Sequence, residues 1–122
     1  MQSNTHGIDY VLGEFVKSTS SIQAAAVMSR DGLLIASKLH KSVDAERLSA
    51  LSASILSLAN RASKDLHQGN LEQVLIDSSD GFVLMVKVGG GAVLSVVSKP
   101  NSMLGMLLHD AKKSARTLAE LV

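Results

Sequence analysis

A single long helix, predicted over residues 44–68, constrains the fold of this chain more than any other stretch. Asp44 is a favourable N-cap, Val43 and Leu48 have the spacing of a hydrophobic staple around it, and Gly69 follows as a stop signal. Apolar residues recur at helical spacing and form one face that can cover a sheet: Leu48, Leu51, Ile55, Leu58, Ala59, Ala62 and Leu66.

The opposite side of this helix is unusual because residues 48–60 carry no charge. The outward positions are small: Ser49, Ala50, Ala53, Ser54 and Ser57. Charged side chains, which a water-facing helix surface ordinarily carries, occur only toward the ends, as at Arg47 and Arg61. Small side chains let another backbone approach closely, so we predict a second face that is covered by protein. The alternative is a mildly polar face exposed to water.

Composition narrows the classes of protein to consider. The 122 residues, 46% of them hydrophobic, fit one domain (residues 1–122), and we expect residues 1–6 to be a flexible N-terminus. The formal net charge of +1 provides no broad field for nucleic acid, and there is no cysteine for a disulfide or thiolate metal site. No apolar run reaches the length of about 20 residues that spans a bilayer. We expect a cytoplasmic protein without nucleic-acid binding or membrane insertion.

The first part of the chain predicts a short helix and two strands. The helix has one apolar stripe: Ile8, Val11, Leu12, Phe15 and Val16. Residues 23–29 form a strand, and residues 33–39 form the returning strand. Asp31-Gly32 supplies the hairpin turn between them, because glycine accepts positive φ and aspartate tolerates it. The polar residues 40–42 lead into the long helix.

The second part predicts three strands, over residues 73–77, 82–88 and 92–97, and a last helix. Asp80-Gly81 and the glycine run 89–91 give hairpin turns. The last two strands are apolar on both faces, apart from a lysine in the first of them, which is typical of central strands covered by helices on both sides. Pro100 ends the fifth strand, and Asn101 or Ser102 can cap the helix. Its buried stripe is Leu104, Leu107, Leu108, Ala111, Ala115 and Leu118. The element order predicts a three-layer α+β domain with a largely antiparallel sheet.

No motif indicates catalysis, and we predict a non-enzymatic protein with no cofactor and no metal. The histidines lack the close spacing of metal ligands or of a base beside a serine nucleophile: His6, His40, His67 and His109. The glycine run 89–91 joins two strands and does not open a helix, so a hairpin is favoured over a phosphate loop. Lys87, alone among apolar neighbours, either extends into water at the rim of the sheet or meets an acidic group on a partner.

Three segments make the chain resemble the Roadblock family, which is named for dynein light chains and includes bacterial MglB-type regulators. They are AAVMSRDGLLIA at residues 25–36, the helix rich in Ala, Ser and Leu after SVDAE, and DGFVLMVKVGGGAVLSVV at residues 80–97. Element order and turn positions agree with the family over nearly the whole chain. None of the three segments is a catalytic signature, so the likeness lies in pattern and order.

The resemblance implies a profilin- or longin-like three-layer α/β/α sandwich. Its five-stranded antiparallel sheet has the order two-one-five-four-three, with the long helix on one face and two helices on the other. It also implies a homodimer in which the long helices pair and the third strands join edge to edge. The pairing strand would be Gln73, Val74, Leu75, Ile76 and Asp77. In such dimers the paired helices bind small Ras-like GTPases. The dimer or GTPase interface would comprise Arg47, Ala50, Leu51, Ser54, Ser57, Leu58 and Arg61.

We therefore expect a homodimeric regulatory or scaffolding module that binds a small Ras-like GTPase, with GTPase activation as one mode of action. An arginine finger at Arg47 or Arg61 is disfavoured, because an arginine at an exposed helix end is ordinarily solvated. The alternative is a structural adaptor subunit of a larger motor or signalling complex without GTPase contact. A small-molecule sensor is a third option, but it requires a polar pocket, and the central strands offer only Ser95 and Lys87 for one.

Overall fold

The computed structural model describes residues 4–39, 43–100 and 103–122. The elements follow one another as α1 (Thr5–Lys17), β1 (Ile22–Ser29), β2 (Leu34–Leu39), α2 (Ala45–Asp65), β3 (Gln73–Ser78), β4 (Gly81–Val88), β5 (Ala92–Ser98) and α3 (Leu104–Ala119). Each predicted helix and strand is present, with ends that differ from the prediction by a few residues. Thr5 and His6, which we expected in a flexible N-terminus, begin α1. Residues 1–3 lie outside the described part of the chain.

The five strands form one antiparallel sheet in the order β2-β1-β5-β4-β3, as predicted. The β4–β5 pair is regular from Phe82 opposite Ser98 to Val88 opposite Ala92. β1 and β5 have the most completely buried strand residues, which agrees with their positions inside the sheet. The antiparallel order follows from the three hairpin turns, because each short turn returns the chain beside the strand it has just left.

Helices α1 and α3 pack together on one face of the sheet. Their predicted apolar stripes are confirmed: Ile8, Leu12, Phe15 and Val16 of α1 are buried, as are Leu107, Ala111, Ala115 and Leu118 of α3. Leu84 and Leu94 point to the same side and complete this part of the core. The charged residues of α3, such as Lys112 and Arg116, are exposed. Burial of these side chains supplies most of the apolar contact between the two layers.

Helix α2 lies on the other face, across β1, β2 and β5. A second buried cluster, which includes Met28, Leu48 and Met85, fills the space beneath it. The same face of the sheet continues over β4 and β3, where Val83, Val74 and Ile76 are only partly buried. The three-layer prediction is therefore confirmed, and the α2 layer covers its side of the sheet unevenly.

The predicted apolar face of α2 is wrong in part. Leu48 is buried, and Ile55 and Ala59 are half-buried, but the exposed fractions of Leu51, Leu58 and Leu66 are 52%, 69% and 68%. Ala62 is exposed as well. The sheet is instead covered partly by serines, because Ser49, predicted to point outward, and Ser52 are fully buried. Ala53, also predicted outward, is half-buried, whereas Ala50, Ser54 and Ser57 are exposed as expected.

A buried hydrogen bond joins this side of α2 to the sheet. The hydroxyl oxygens of Ser52 on α2 and Ser95 on β5 lie 2.9 Å apart, and both side chains are buried. A short side chain such as serine lets the helix backbone approach the sheet, and the paired hydroxyls satisfy each other once water is excluded. The leucines on the adjacent side of the helix are consequently left at the surface.

The predicted N-cap of α2 is confirmed. The Asp44 carboxylate oxygen Oδ1 accepts hydrogen bonds from the backbone N–H groups of Glu46 and Arg47, each at 3.1 Å. The helix ends before the predicted stop at Gly69: His67 has a φ of +59°, and the backbone N–H groups of His67 and Gln68 donate to the carbonyl oxygens of Lys64 and Ser63 at 3.1 and 2.8 Å. Gly69, with a φ of +86°, follows this cap. The N-cap of α3 is Met103. Residues 101 and 102, predicted as caps, and the polar residues 40–42 lie outside the described ranges.

Candidate interaction surface

The residues predicted for an interface are all exposed, and they lie along α2. They are Arg47, Ala50, Leu51, Ser54, Ser57, Leu58 and Arg61. The centre of this strip is apolar or small, and the two arginines lie near its ends. Arg61 is 3.8 Å from Asp65, and both side chains are largely exposed, so this ion pair contributes little to stability. The side of α2 that faces away from the sheet thus combines two exposed leucines with a centre that has no charge.

The apolar part of this strip continues onto the half-covered part of the sheet. Ile55 lies between Leu51 and Leu58 on α2 and packs against the same buried cluster as Val74, Ile76 and Val83. We call these six residues the α2–β3 surface: Leu51, Ile55, Leu58, Val74, Ile76 and Val83. Large exposed leucines beside partly buried strand residues form a patch of the kind that marks protein interfaces.

Val74 and Ile76, which we predicted for edge pairing, also contribute side chains to this surface, whereas Val83 was not predicted. Val74 and Ile76 alternate with Leu75 along β3, and this alternation indicates that their side chains share one face. It does not indicate that α2 leaves this face partly open, because helix placement over the sheet depends on the Ser52–Ser95 contact. Their contribution therefore became visible only once the two layers were positioned.

β3 is the last strand in the sheet that the described residues form. Its pairing partner is β4, from Gln73 opposite Val86 to Ser78 opposite Gly81. The predicted edge residues, 73–77, all belong to β3. This strand contains neither proline nor lysine, two residues with which exposed edges are commonly protected against pairing. Its free side is therefore a template for one more strand.

Few polar side chains are buried in this fold. Among the described residues there are four, and all are serines: Ser49, Ser52, Ser95 and Ser98. Three or more potential metal ligands do not come together anywhere in ranges 4–39, 43–100 and 103–122. In the same ranges no helix has both the length and the apolar character required to cross a membrane.

Comparisons with known proteins agree with this architecture. A protein of Methanocaldococcus jannaschii that has not been characterised is 37% identical over 111 residues, which is 91% of this chain and 96% of the relative. Among solved structures, the gliding protein MglB of Thermus thermophilus superposes with a TM-score of 0.89 at 20% identity, over 97% of this chain and 90% of MglB.

Two further structures extend the comparison. An MglB in a tetrameric arrangement has a TM-score of 0.90 at 21% identity, over 97% of this chain and 89% of that one. A LokiProfilin2 bound to rabbit actin has a TM-score of 0.69 at 15% identity, over 95% and 98% of the two chains. At such identities the likeness shows the fold alone, and it confirms the profilin-like architecture. A family model, described as the Roadblock/LC7 domain, matches residues 8–98. This match covers most of the chain, which therefore belongs to the Roadblock/LC7 family.

Proposed function

We propose that this protein is a homodimeric binding module that presents its paired α2 helices to a small Ras-like GTPase. In this proposal two copies join through the α2–β3 surface and through their β3 edges. The module regulates or scaffolds the GTPase and carries out no catalytic step of its own. A cytoplasmic location belongs to the same proposal.

The observation that carries the proposal is the exposure of Leu51 and Leu58 beside a helix centre without charge. Moving a leucine side chain from water into an apolar contact is worth about 1.5–3 kcal/mol. The small residues Ala50 and Ser54 lie beside these leucines on the exposed side of α2 and allow a second helix to approach. A second copy of the chain would present the same leucines and small residues to this surface, as a two-fold dimer requires.

The β3 edge supports the same geometry. Two β3 strands that pair antiparallel would satisfy each other's free backbone N–H and C=O groups and would continue the sheet from one protomer to the next. Val74 and Ile76 lie on the α2 side of β3, so the strand pairing and the helix pairing would bury one continuous surface. One contact between the protomers therefore favours the other.

The proposed binding of a GTPase rests on the family resemblance. Arg47 and Arg61 flank the neutral centre of α2 and are exposed, so in a dimer they would remain at the borders of the paired helices. Such positions suit contacts with acidic groups on a partner. We favour a role as a platform over one in which either arginine enters the GTPase active site. A dimer without GTPase affinity would instead support the structural adaptor.

Sedimentation at low micromolar concentration tests the dimer. We expect the wild type to be a dimer and Leu58→Arg and Ser54→Arg to be folded monomers, because burial of an unpaired charge is disfavoured by several kcal/mol. Met106→Arg is the matched control, since Met106 is 59% exposed on α3 at the opposite face of the sheet. A monomeric wild type, or Leu58→Arg that remains a dimer, would disprove this interface.

A second measurement tests the GTPase. The intact dimer is titrated with a small Ras-like GTPase encoded next to it, loaded in turn with GDP and with a GTP analogue. We expect an affinity that depends on the nucleotide and that falls at least tenfold in Arg47→Glu. Lys112→Glu on α3 serves as the control for charge reversal. Absence of binding to either form, by a protein that is dimeric, would leave the adaptor as the function.

A further inference from the structure

A cleft separates the C-terminal half of α2 from one end of the sheet. Its volume is about 730 Å³, which lies in the range of small-molecule sites. The walls come from α2, from the turn between β1 and β2, from the residues before β3 and from the glycine turn between β4 and β5. Leu56 and Val93 contribute apolar surface, and Ser57, Asn60 and Asn70 contribute hydrogen-bonding groups.

The charged side chains of this cleft are unbalanced. Arg30, Lys64 and Lys87 line it together with a single carboxylate, Asp31. In the part of the chain that the structure describes, none of these four residues forms an ion pair. Lys87 is the lysine that interrupts the apolar strand β4, and it lies in the lining of this cleft. The lining has a surplus of two positive charges, which would attract an anion of matching charge.

The glycine turn at residues 89–91 lines the same cleft with backbone that no side chain covers. Gly89 has a φ of +59°, so its conformation explains why glycine stands there. Gly90 and Gly91 lie outside the positive-φ region, and a Cβ atom built on either would meet nothing within 4 Å. Packing within the described chain therefore does not require glycine at these two positions. Their missing side chains leave room for a group that approaches the backbone closely.

Arg30 is held beside this turn. Its backbone N–H donates to the carbonyl oxygen of Gly91 at 3.3 Å, and its guanidinium Nη1 donates to the carbonyl oxygen of Gly90 at 3.4 Å. These contacts keep the guanidinium at the wall of the cleft, and a guanidinium retains further N–H donors for a ligand. A planar guanidinium and nearby lysines are the groups that proteins commonly use to bind phosphate.

We infer that the cleft binds a phosphate dianion carried by a small molecule. A phosphate monoester has a charge of about −1.5 to −2 at pH 7, which balances the positive surplus of the lining. The volume exceeds what the phosphoryl group alone needs, and the amide and hydroxyl groups of Asn60, Asn70 and Ser57 suit a polar body attached to it. The lining contains no aromatic side chain on which a nucleobase could stack.

The test is a titration of the ¹⁵N-labelled full chain with glycerol 3-phosphate and, separately, with inorganic phosphate, each at constant ionic strength set with chloride. We expect saturable shifts of the Gly90 and Gly91 amide signals. Tighter binding of glycerol 3-phosphate identifies an ester as the natural source, whereas equal affinities identify free phosphate. Shifts that rise linearly without saturation, or that appear equally around Lys112 on α3, would overturn the inference.

Three variants locate the site. Lys87→Gln should weaken binding about tenfold or more, because it removes a charged hydrogen-bond donor. Lys112→Gln, on the opposite face of the sheet, should leave the affinity unchanged. Gly91→Ala should fold as the wild type does, since its Cβ meets no neighbour, yet should bind phosphate at least several-fold more weakly. Unchanged affinity in both Lys87→Gln and Gly91→Ala would contradict the assignment. This outcome does not depend on a GTPase, so it is distinguishable from failure of the proposed function.

Discussion

Ser52 and Ser95 share a hydrogen bond that connects α2 to the middle of the sheet. Their hydroxyl oxygens are 2.9 Å apart, and both side chains are fully buried. Ser49, one turn before Ser52, is buried too, and its hydroxyl has no hydrogen-bond partner among the described residues. The contact lies on the side of α2 that faces the sheet, and the opposite side is left for a partner.

A double-mutant cycle should show that removal of one of the two hydroxyls destabilises the protein more than its share of the removal of both. Ser52→Ala leaves the Ser95 hydroxyl buried without a partner, so we expect the free energy of unfolding to fall by about 1–3 kcal/mol. Ser95→Ala should have a similar effect. The double variant should recover much of this loss, because no hydroxyl then remains unpaired. Urea unfolding at one fixed protein concentration measures all three, since the stability of a dimer depends on concentration.

The control for this cycle is Ser54→Ala, because Ser54 is exposed on the same helix. Its effect should stay within about 0.5 kcal/mol, as for most surface substitutions. If the two single substitutions lowered stability by amounts that simply added in the double variant, the two hydroxyls would not be coupled and the hydrogen bond would not hold the helix in place.

Gly81 is the glycine whose substitution the fold tolerates least. Its φ is +147°, and a Cβ atom there would collide with the carbonyl oxygen of Ser98 on the neighbouring strand. Gly81→Ala should therefore lower the free energy of unfolding by about 3 kcal/mol or more, through backbone strain and displacement of the β4–β5 pairing. Thermal unfolding followed by circular dichroism gives the comparison.

Gly90→Ala is the matched glycine substitution, because it places the same methyl group in open space. It should be neutral or should raise stability by up to about 1 kcal/mol, since alanine restricts the unfolded chain. Equal losses in Gly81→Ala and Gly90→Ala would show that the collision at Ser98 is not what makes Gly81 necessary.

Local chemistry made most of the fold predictable. Asp44 as a cap, Asp31-Gly32 as a turn and the two-sided apolar strands each act over a few residues, and the structure has them where the sequence indicates. The stripes of α1 and α3 were also predictable, because apolar residues and burial coincide there. In these elements local preference and tertiary packing favour the same arrangement.

The orientation of α2 was not predictable in this way. Hydrophobicity favoured Leu58 and Leu66 for the buried side, whereas the structure buries Ser49 and Ser52. For Ser52 the reason is that a serine can be buried when its partner lies on another element, and Ser95 is 43 positions away in the sequence. Ser49 is buried without a hydrogen-bond partner among the described residues, so this reason does not apply to it. Contacts between the exposed leucines and another protein would also remove hydrophobic side chains from water. Such contacts follow the same physical rule as burial in the core.

The exposure of the residues predicted for an interface agrees with the sequence better than the buried face of α2 does. Ala50, Ser54 and Ser57 are exposed as expected, and Leu51 and Leu58 are exposed although their spacing had also suggested the core. Val83 was not predicted, and Val74 and Ile76 were predicted for edge pairing and not for an apolar surface beside α2. The partial exposure of these three residues depends on how far α2 extends over the sheet. Whether this surface pairs with a second copy stays a prediction.

The Asp44 cap should be worth about 1 kcal/mol to the folded protein. Its carboxylate accepts two backbone N–H groups, from Glu46 and Arg47, that otherwise have no partner within the helix. Asp44→Ala should lower the free energy of unfolding by this amount, whereas Asp44→Asn, whose amide oxygen can accept the same bonds, should lose less than half of it. Urea unfolding distinguishes them, and equal losses in both variants would show that the cap geometry is not the source of stability.

Pairing of two protomers through the β3 edge predicts slow hydrogen exchange along this strand. In a dimer joined through β3, the N–H groups on the free side of residues 73–77 would be hydrogen-bonded to the partner strand, so their exchange should be slow in the wild type. In Leu58→Arg, which we expect to be monomeric, these N–H groups should exchange at least a hundredfold faster, whereas those of β5 in the sheet interior should remain protected. Exchange measured by NMR at equal protein concentration resolves individual amides. If alternate amides of β3 exchanged rapidly in a wild type shown to be dimeric, the protomers would be joined by their helices alone, and the edge strand would remain free for a different partner.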